Sequence, residues 1–375
     1  MKLRTKTRWL ALLAVLALFA AACGSDAATE AASDAADAAA DAVDDDEDDA
    51  MEDEGDDAME DGDGGAVCEV TDTGGVDDRS FNQLAFEGAE QAEERFGWEP
   101  RVIESVSETD FEPNIASFVD QGDCNLIVTV GFLLGDATAA AAGANPDQEF
   151  AIVDFAYDPV IDNVQGLVFA IDQAAFLGGY IAADQTQTGV VGTFGGVNIP
   201  PVTDFMEGFA QGVAYYNTEN GTDVTVLGWD PAEQDGLFTG NFDSLEDGRA
   251  FAENLADEGA DIILPVAGPV GLGSAALVQE RGLRLIGVDA DWTQTAPEFD
   301  DIVLTSILKN IDVAVLDAAT AVHDESTGPL LVSTLESGGV GVAPVTNALN
   351  PDTDLAAELE AVSAGIIDGS IATSG

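Results

Sequence analysis

The same alternation of strand and helix patterns occurs twice along the chain. In the first half, a largely apolar run at residues 125–130 stands among segments with helical spacing of apolar residues, such as residues 80–96. In the second half, residues 190–194 and 261–266 have strand patterns that are again separated by helical ones. Apolar strands that alternate with helices are typical of parallel sheets. The sequence therefore predicts an α/β fold of two similar lobes, each a doubly wound parallel sheet with helices on both faces.

The ends of the predicted strands also correspond between the two halves. Gly131 and Asp154 follow strands in the first half, and Gly268 and Asp289 stand at the matching places in the second. Loops after the carboxyl ends of parallel strands face the ligand in such folds, so the sequence predicts a cleft between the lobes. The predicted first lobe spans residues 66–185 with a segment near 310–340, the second spans 186–305 with a C-terminal segment, and the chain crosses between them near 155–190, 290–310 and 325–345.

Local sequence signals predict the bounds of one strand and the start of one helix. An extended pattern predicts a strand at residues 101–106. Asp243, followed three residues later by Glu246, predicts a capping box at the start of a helix.

The N-terminus has the pattern of an export signal. Four basic residues precede an apolar stretch at residues 10–22 that is too short for a stop-transfer helix. Small residues then precede Cys23, in an order that resembles a bacterial lipobox. We therefore interpret residues 1–23 as a lipoprotein signal peptide with Cys23 as the lipidated residue. An ordinary secretory signal with an incidental cysteine is the alternative, and both predict export.

The next segment, residues 24–65, is strongly acidic. It contains 19 acidic side chains, no basic ones and no aromatic ones. Such a composition cannot bury enough apolar surface to offset the loss of chain entropy, so we predict a disordered tether before a globular part at 66–375. The whole chain has 72 acidic and 11 basic residues and a formal net charge of −61, which argues against nucleic acid as a partner.

Two cysteines remain after Cys23. Cys68 lies in the first predicted strand and Cys124 immediately precedes the third. These strands are neighbours in a 2-1-3 strand order, so in an exported protein the pair predicts a disulfide.

The chain offers little material for catalysis. His323 is its single histidine, on a helical pattern, and no glycine-rich phosphate loop with a following lysine is present. We therefore predict a binding protein without enzymatic activity, cofactor or metal. A surface nucleoside hydrolase is the alternative from another class, because Asp72, Asp77 and Asp78 superficially imitate the calcium site of such enzymes.

The loop after the first strand carries the densest motif. Residues 71–83 read TDTGGVDDRSFNQ, which resembles the D-x-G-x-x-D-(K/R)-S-F-N run of the basic membrane protein family, the purine-nucleoside receptors of ABC importers. Similar motifs follow in family order, at Gly131-Phe132, FAIVD (150–154), GGVNIP (195–200), FMEGF (205–209), Ala267-Gly268, IGVDAD (286–291) and TSILK (305–309). Trp292 and the bulky Phe132-Leu133-Leu134 depart from the family pattern.

The resemblance implies a type I periplasmic-binding-protein fold and an extracytoplasmic lipoprotein. Such a protein captures a purine nucleoside between its lobes and delivers it to the permease of an ABC importer. We expect a monomer that is attached to the cell membrane by its lipid. The same fold binding a sugar or a signalling molecule for a sensor stays open as an alternative.

The residues at the matching positions suit the base. Asp72, Asn82 and Asp154 can hydrogen-bond the edge of a purine. In the family, one aromatic residue from each lobe sandwiches the base, which implies Phe205 in the second lobe. In the first lobe the candidates are Phe81 and Phe86.

Other positions suit the sugar. Asp289 can accept hydrogen bonds from vicinal hydroxyls, and Lys309, the one lysine after the signal peptide, can donate to the same sugar. Asp291 is a further candidate, and Gly268 allows close approach of the backbone. For Lys309 the alternative is a salt bridge that only braces the lobes.

Overall fold

The computed structural model of the protein describes residues 64–374, which contain two six-stranded sheets surrounded by helices. The predicted signal peptide, Cys23 and nearly all of the predicted tether lie outside the described residues. The strands, in chain order, are β1 (Ala66–Val70), β2 (Glu99–Ile103), β3 (Cys124–Val130), β4 (Phe150–Val153), β5 (Val164–Phe169), β6 (Val190–Gly195), β7 (Thr225–Leu227), β8 (Trp229–Asp230), β9 (Asp235–Gly236), β10 (Ile262–Val266), β11 (Arg284–Asp289), β12 (Val303–Lys309), β13 (Leu330–Ser333) and β14 (Val340–Val342). The helices are α1 (Phe81–Phe96), α2 (Phe111–Gln121), α3 (Gly135–Ala144), α4 (Ile171–Gln185), α5 (Pro200–Asn220), α6 (Leu245–Asp257), α7 (Val270–Arg281), α8 (Trp292–Thr295), α9 (Ile311–His323) and α10 (Leu355–Ile367).

The two sheets have closely similar strand orders. The first has the order β13-β5-β4-β3-β1-β2 and all its strand pairs are parallel. The second has the order β14-β12-β11-β10-β6-β7, and β14 is antiparallel to β12 while the other pairs are parallel. We call the first sheet with its helices lobe 1 and the second with its helices lobe 2. The predicted α/β fold of two doubly wound lobes is confirmed.

Burial and helix ends explain why the sequence forms these elements. All but one of the seven residues of β3 are buried, which matches its largely apolar sequence. Helix α1 ends at Gly97, whose φ of 74° is left-handed and whose N–H bonds the carbonyl of Glu93. Helix α5 begins with Pro200, where a missing N–H costs no hydrogen bond. Within residues 64–374, none of the helices combines the length and apolarity needed to cross a membrane.

The chain passes between the two sheets at three places in the described region. After β5 it enters α4, which packs against α5, and continues to β6. After β12 it enters α9, which packs against α1 in lobe 1 and precedes β13. From β13 it returns to β14 in lobe 2. These three connections join lobe 1 to lobe 2.

Helices α4 and α5 approach each other closely enough to require glycine. A Cβ atom on Gly179 would lie 2.0 Å from the carbonyl oxygen of Phe209, and one on Gly212 would lie 2.0 Å from that of Phe176. Both clashes are with backbone, which cannot yield, so this helix pair depends on both glycines.

Cys68 and Cys124 form a disulfide on neighbouring strands β1 and β3. Their sulfur atoms are 2.01 Å apart and their Cα atoms 5.9 Å apart. Cys68 is fully buried, so the bond lies inside lobe 1.

Two local predictions are wrong by a few residues. Strand β2 ends at Ile103 instead of continuing to residue 106, because its partner β1 ends at Val70 and leaves no edge to pair with. Helix α6 is capped by Ser244 rather than Asp243, since the Ser244 hydroxyl accepts the N–H of Asp247 at 3.2 Å. The side chain of Asn241 accepts the N–H groups of Asp243 and Ser244, which places the cap one residue later than the acidic signal suggests.

Candidate ligand-binding cleft

A cleft lies between the strand ends of the two lobes. Its empty space, including the open space at its mouth, is about 630 Å³. Of the residues predicted to bind the ligand, those that line it are Asp72, Phe81, Asn82, Asp154, Phe205, Gly268, Asp289 and Lys309. The topology brings them together because each lies at or just after the end of a strand, or in the first two turns of a helix, at the same edge of its sheet.

The loop after β1 is held by its own carboxylates. Asp78 accepts the backbone N–H groups of Ser80, Asn82 and Gln83, at 2.8–3.1 Å, and so caps α1. Burial raises the pKa of Asp78 to about 6, and these N–H groups oppose that rise. Three N–H donors already bind the Asp78 carboxylate. This residue therefore gives no support to the calcium site that the hydrolase alternative requires. Within residues 64–374, no group of three or more His, Cys, Asp or Glu side chains is placed to hold a metal ion.

The side chain of Asn82 makes hydrogen bonds within this loop. Its amide donates to Asp72 Oδ1 at 2.8 Å and to Asp78 Oδ2 at 3.0 Å, and its oxygen accepts the N–H of Asp72 at 3.2 Å. Both amide hydrogens are therefore engaged within lobe 1, although we expected them to bond the edge of a base. Asp72 also accepts the N–H of Gly74 through Oδ1, which leaves Oδ2 for the cleft.

Lys309 lies at the centre of the cleft. Its Nζ is 2.8 Å from Asp154 Oδ2 and 3.9 Å from Asp289 Oδ1, and its side chain is 2% exposed. The sequence predicted pairing with Asp289, but Asp154, from the other lobe, is the nearer partner. The ammonium also lies 5.2–5.4 Å from the ring centres of three aromatic residues, within cation–π range, and these are Phe81, Phe169 and Phe205.

Asp289 presents an unused acceptor to the cleft. Its Oδ1 is buried and has no hydrogen-bond partner within the described residues, while Oδ2 is 3.1 Å from the hydroxyl of Ser80. Burial raises the pKa of Asp289 to about 6, and the charge of Lys309 opposes that rise. Oδ1 lies 3.9 Å from the ammonium of Lys309, beyond hydrogen-bond distance, so it can accept a further hydrogen bond.

The cleft also has apolar walls that the sequence predictions missed. Phe132 and Leu133 line it from lobe 1, and Phe242 and Pro269 line it from lobe 2. The bulk of the Phe132-Leu133 segment could be noted in the sequence, but its position on the cleft could not. Phe242 follows the small β8–β9 hairpin, which has no counterpart in lobe 1, so the internal repeat gave no signal for it.

Gly268 and Asp291 have different surroundings. At Gly268, φ is 52° and a Cβ would meet no atom within 4 Å, so the backbone borders open space there. Asp291 does not line the cleft. Its carboxylate instead caps α8, where it accepts the N–H and the hydroxyl of Thr293 at 3.0 and 2.8 Å. His323 is also outside the cleft and stacks on Phe96 with ring centres 4.3 Å apart.

Glu69 was not singled out in the sequence. It is completely buried on β1, and neither carboxylate oxygen has a hydrogen-bond partner within the described residues. Burial raises its pKa well above the usual value, and the charges of Asp78 and Asp72 raise it further. Its place within an otherwise apolar strand was the available signal.

A family model described as ABC transporter substrate-binding protein PnrA-like matches residues 66–371. The protein belongs to this family. The resemblance drawn from the motifs is thereby confirmed.

Known members and structures agree with this assignment. The PnrA-like chain is 32% identical over 325 residues to the CD4+ T-cell-stimulating antigen of Listeria monocytogenes, with 81% of this chain and 87% of the relative covered. It is 32% identical over 306 residues to basic membrane protein A of Borreliella burgdorferi, with 80% and 84% covered. A crystal structure of an ABC transporter solute-binding protein from Aeropyrum pernix superposes with a TM-score of 0.72 at 29% identity, covering 82% of this chain and 92% of that one. The PnrA-like protein is thus a substrate-binding protein of an ABC transporter, with a ligand and a transporter as its partners.

Proposed function

We propose that the protein binds a purine nucleoside in the cleft and delivers it to the permease of an ABC importer. The observation that carries this proposal is the unpartnered Oδ1 of Asp289, which is buried beside Lys309 in the cleft. A carboxylate oxygen in such a place suits a ligand hydroxyl, and a ribose offers two adjacent ones. A buried acceptor without a partner costs about 1–3 kcal/mol, which a ligand donor would recover.

The other groups of the cleft support a neutral, donor-rich ligand. Asp72, Asp154 and Asp289 bring carboxylates, whereas Lys309 is the one cation among the residues that line the cleft. A phosphorylated ligand would meet repulsion from this charge distribution. The aromatic and aliphatic walls supplied by Phe81, Phe205 and the residues opposite them suit a flat base.

Calorimetric titration tests the proposal directly. Inosine, guanosine and adenosine are titrated beside their 2′-deoxy forms, the free bases and ribose. We expect a nucleoside to bind and its 2′-deoxy form to bind at least about tenfold more weakly, because a site built for a hydroxyl leaves its own polar groups unpaired without it. Asp289→Asn should weaken nucleoside binding by about 10- to 100-fold through loss of a charge-assisted hydrogen bond.

Asp291→Asn is the matched control, since it changes a carboxylate two residues away that does not line the cleft. It should leave the affinity unchanged. Binding of ribose or another sugar in preference to every nucleoside would refute the proposal and favour a sugar receptor. Release of free base from inosine during incubation would instead favour the hydrolase.

We further propose that the protein is attached to the outer face of the cell membrane by a lipid on Cys23. The lipobox-like order of residues before Cys23 and the acidic segment after it support this placement. The relative named basic membrane protein A is consistent with it.

A further inference from the structure

The hydroxyl of Ser80 does not make the capping hydrogen bond that a serine at the start of a helix usually makes. Ser80 is the N-cap residue of α1, yet its side chain makes no capping hydrogen bond. Asp78 takes over that role by accepting the first free N–H groups of the helix. The Ser80 hydroxyl is therefore free to act elsewhere.

That hydroxyl reaches lobe 2. Ser80 Oγ is 3.1 Å from the carbonyl oxygen of Val288 and 3.1 Å from Asp289 Oδ2, and Ser80 is 1% exposed. One hydroxyl hydrogen serves these two acceptors, so the contact fixes the orientation of Asp289 and leaves its Oδ1 without a hydrogen-bond partner within the described residues.

The preceding residue makes a second contact with lobe 2. Arg79 has a left-handed φ of 62°, a conformation that is costly for a residue with a Cβ atom. Its guanidinium pairs with Glu298, in the short 3₁₀ turn Pro297–Phe299 of lobe 2. The two side chains are 41% and 49% exposed, so this ion pair lies at the outer side of the contact.

We propose that Arg79 and Ser80 form a closure latch. Ser80 is a positioning residue that orients Asp289 when the lobes meet, and the Arg79–Glu298 pair holds the lobes in that arrangement. Ligand contact at Asp289 and closure of the cleft are thereby coupled through one side chain. The proposal rests on the proposed function only where it takes Asp289 to contact the ligand.

The latch makes a kinetic prediction. The contacts stabilise the closed arrangement of the lobes, from which a ligand cannot leave, so their loss should raise the dissociation rate. An exposed ion pair such as Arg79–Glu298 is expected to change the rate by about two- to fivefold. The Ser80 hydroxyl should contribute about two- to tenfold.

Stopped-flow tryptophan fluorescence with inosine as the probe measures the association and dissociation rates. We expect Ser80→Ala and Arg79→Ala to dissociate faster, Ser80→Thr to restore the slow rate, and the exchanged pair Arg79→Glu with Glu298→Arg to recover part of it. Arg249→Ala is the matched control, because Arg249 pairs with Glu280 inside lobe 2 and is 43% exposed. Unchanged dissociation in the Ala variants, or equal acceleration in the control, would overturn the latch.

Amide hydrogen exchange of the ligand-free protein tests the latch without any nucleoside. Residues 78–83 and 286–292 should exchange faster in Arg79→Ala and Ser80→Ala than in the wild type and in Arg249→Ala, with unchanged midpoints of unfolding. Faster exchange without inosine binding would keep the latch and reject the nucleoside. Inosine binding, with unchanged exchange and unchanged dissociation in the variants, would support the nucleoside and reject the latch.

Discussion

Asp154 and Asp289 hold the same place in the two lobes, at the ends of β4 and β11, and each has a left-handed φ of 64°. Their carboxylates lie 2.8 and 3.9 Å from the ammonium of Lys309. Aspartate tolerates this backbone conformation better than most residues do. The repeated turn therefore directs one carboxylate from each lobe towards a single cation, which makes Lys309 an electrostatic link across the cleft.

Removing that cation should affect both binding and stability. Lys309→Met leaves two buried carboxylates without a neighbouring cation, and we expect nucleoside affinity to fall by at least about 30-fold, since breaking a buried charge pair costs a few kcal/mol. Calorimetry with inosine and 2′-deoxyinosine is the measurement, and urea unfolding reports stability. A lysine that only braces the lobes would give a less stable variant with the same preference between the two ligands.

Binding should depend on pH through Asp289. Burial raises the pKa of Asp289 to about 6, and the ionised carboxylate accepts a ligand hydroxyl more strongly than the protonated carboxyl does, because its hydrogen bonds are charge-assisted. As the pH falls below about 6, the protonated fraction grows and the affinity for inosine should fall by up to about tenfold per pH unit. Asp289→Asn should bind weakly with a flatter profile between pH 5 and 7. A wild-type affinity that is constant over this range would contradict the assignment.

Motif order and strand periodicity predicted the two lobes and most of the polar residues along the cleft, because both follow from local chain properties. Strand ends at one edge of a parallel sheet converge whatever their side chains, so Asp154, Asp289 and Lys309 could be grouped from their positions. The sequence could not show which carboxylate lies nearest to Lys309, because that distance depends on how the lobes meet.

For a similar reason, the sequence could not predict which side chains hydrogen-bond to each other in the loop after β1. Asn82 and Ser80 both look like groups for a ligand, yet Asp78 binds the amide of Asn82 and releases the hydroxyl of Ser80. Several carboxylates compete for few donors in this chain, and only the folded geometry decides among them. Phe242 lies in a hairpin region outside the repeat, where pattern comparison has nothing to compare.

The disulfide between Cys68 and Cys124 should contribute substantially to stability. It closes a loop with a sequence separation of 56 residues, for which the chain-entropy relation gives about 4 kcal/mol. Cys68→Ala with Cys124→Ala should lower the free energy of urea unfolding by roughly that amount. Mass spectrometry of the non-reduced protein provides the check on pairing, because two free thiols would show that the bond is absent.

Replacing Cys23 should release the protein from membranes. Cys23→Ser removes the thiol that we predict to carry the lipid, so the chain should move from the membrane fraction to the soluble fraction or remain unprocessed. Fractionation and intact-mass measurement distinguish these results. A Cys23→Ser protein that is processed normally and stays on washed membranes at the wild-type level would rule out the anchor.

Glu69 should make the protein less stable as the pH rises. Burial raises its pKa well above 4.5, so the folded state holds a proton that the unfolded chain releases. A raised pKa stabilises the folded state below the unfolded value near 4.5, and that stabilisation is lost as the pH rises through the folded value. Glu69→Gln mimics the protonated form at every pH, so it should match the wild type at pH 4 and be more stable than the wild type at pH 8. Urea unfolding at both pH values measures the difference, with Glu90→Gln on the exposed face of α1 as the control. An equal change at the two pH values, or a loss of stability at pH 8, would show that Glu69 has a partner that keeps it ionised.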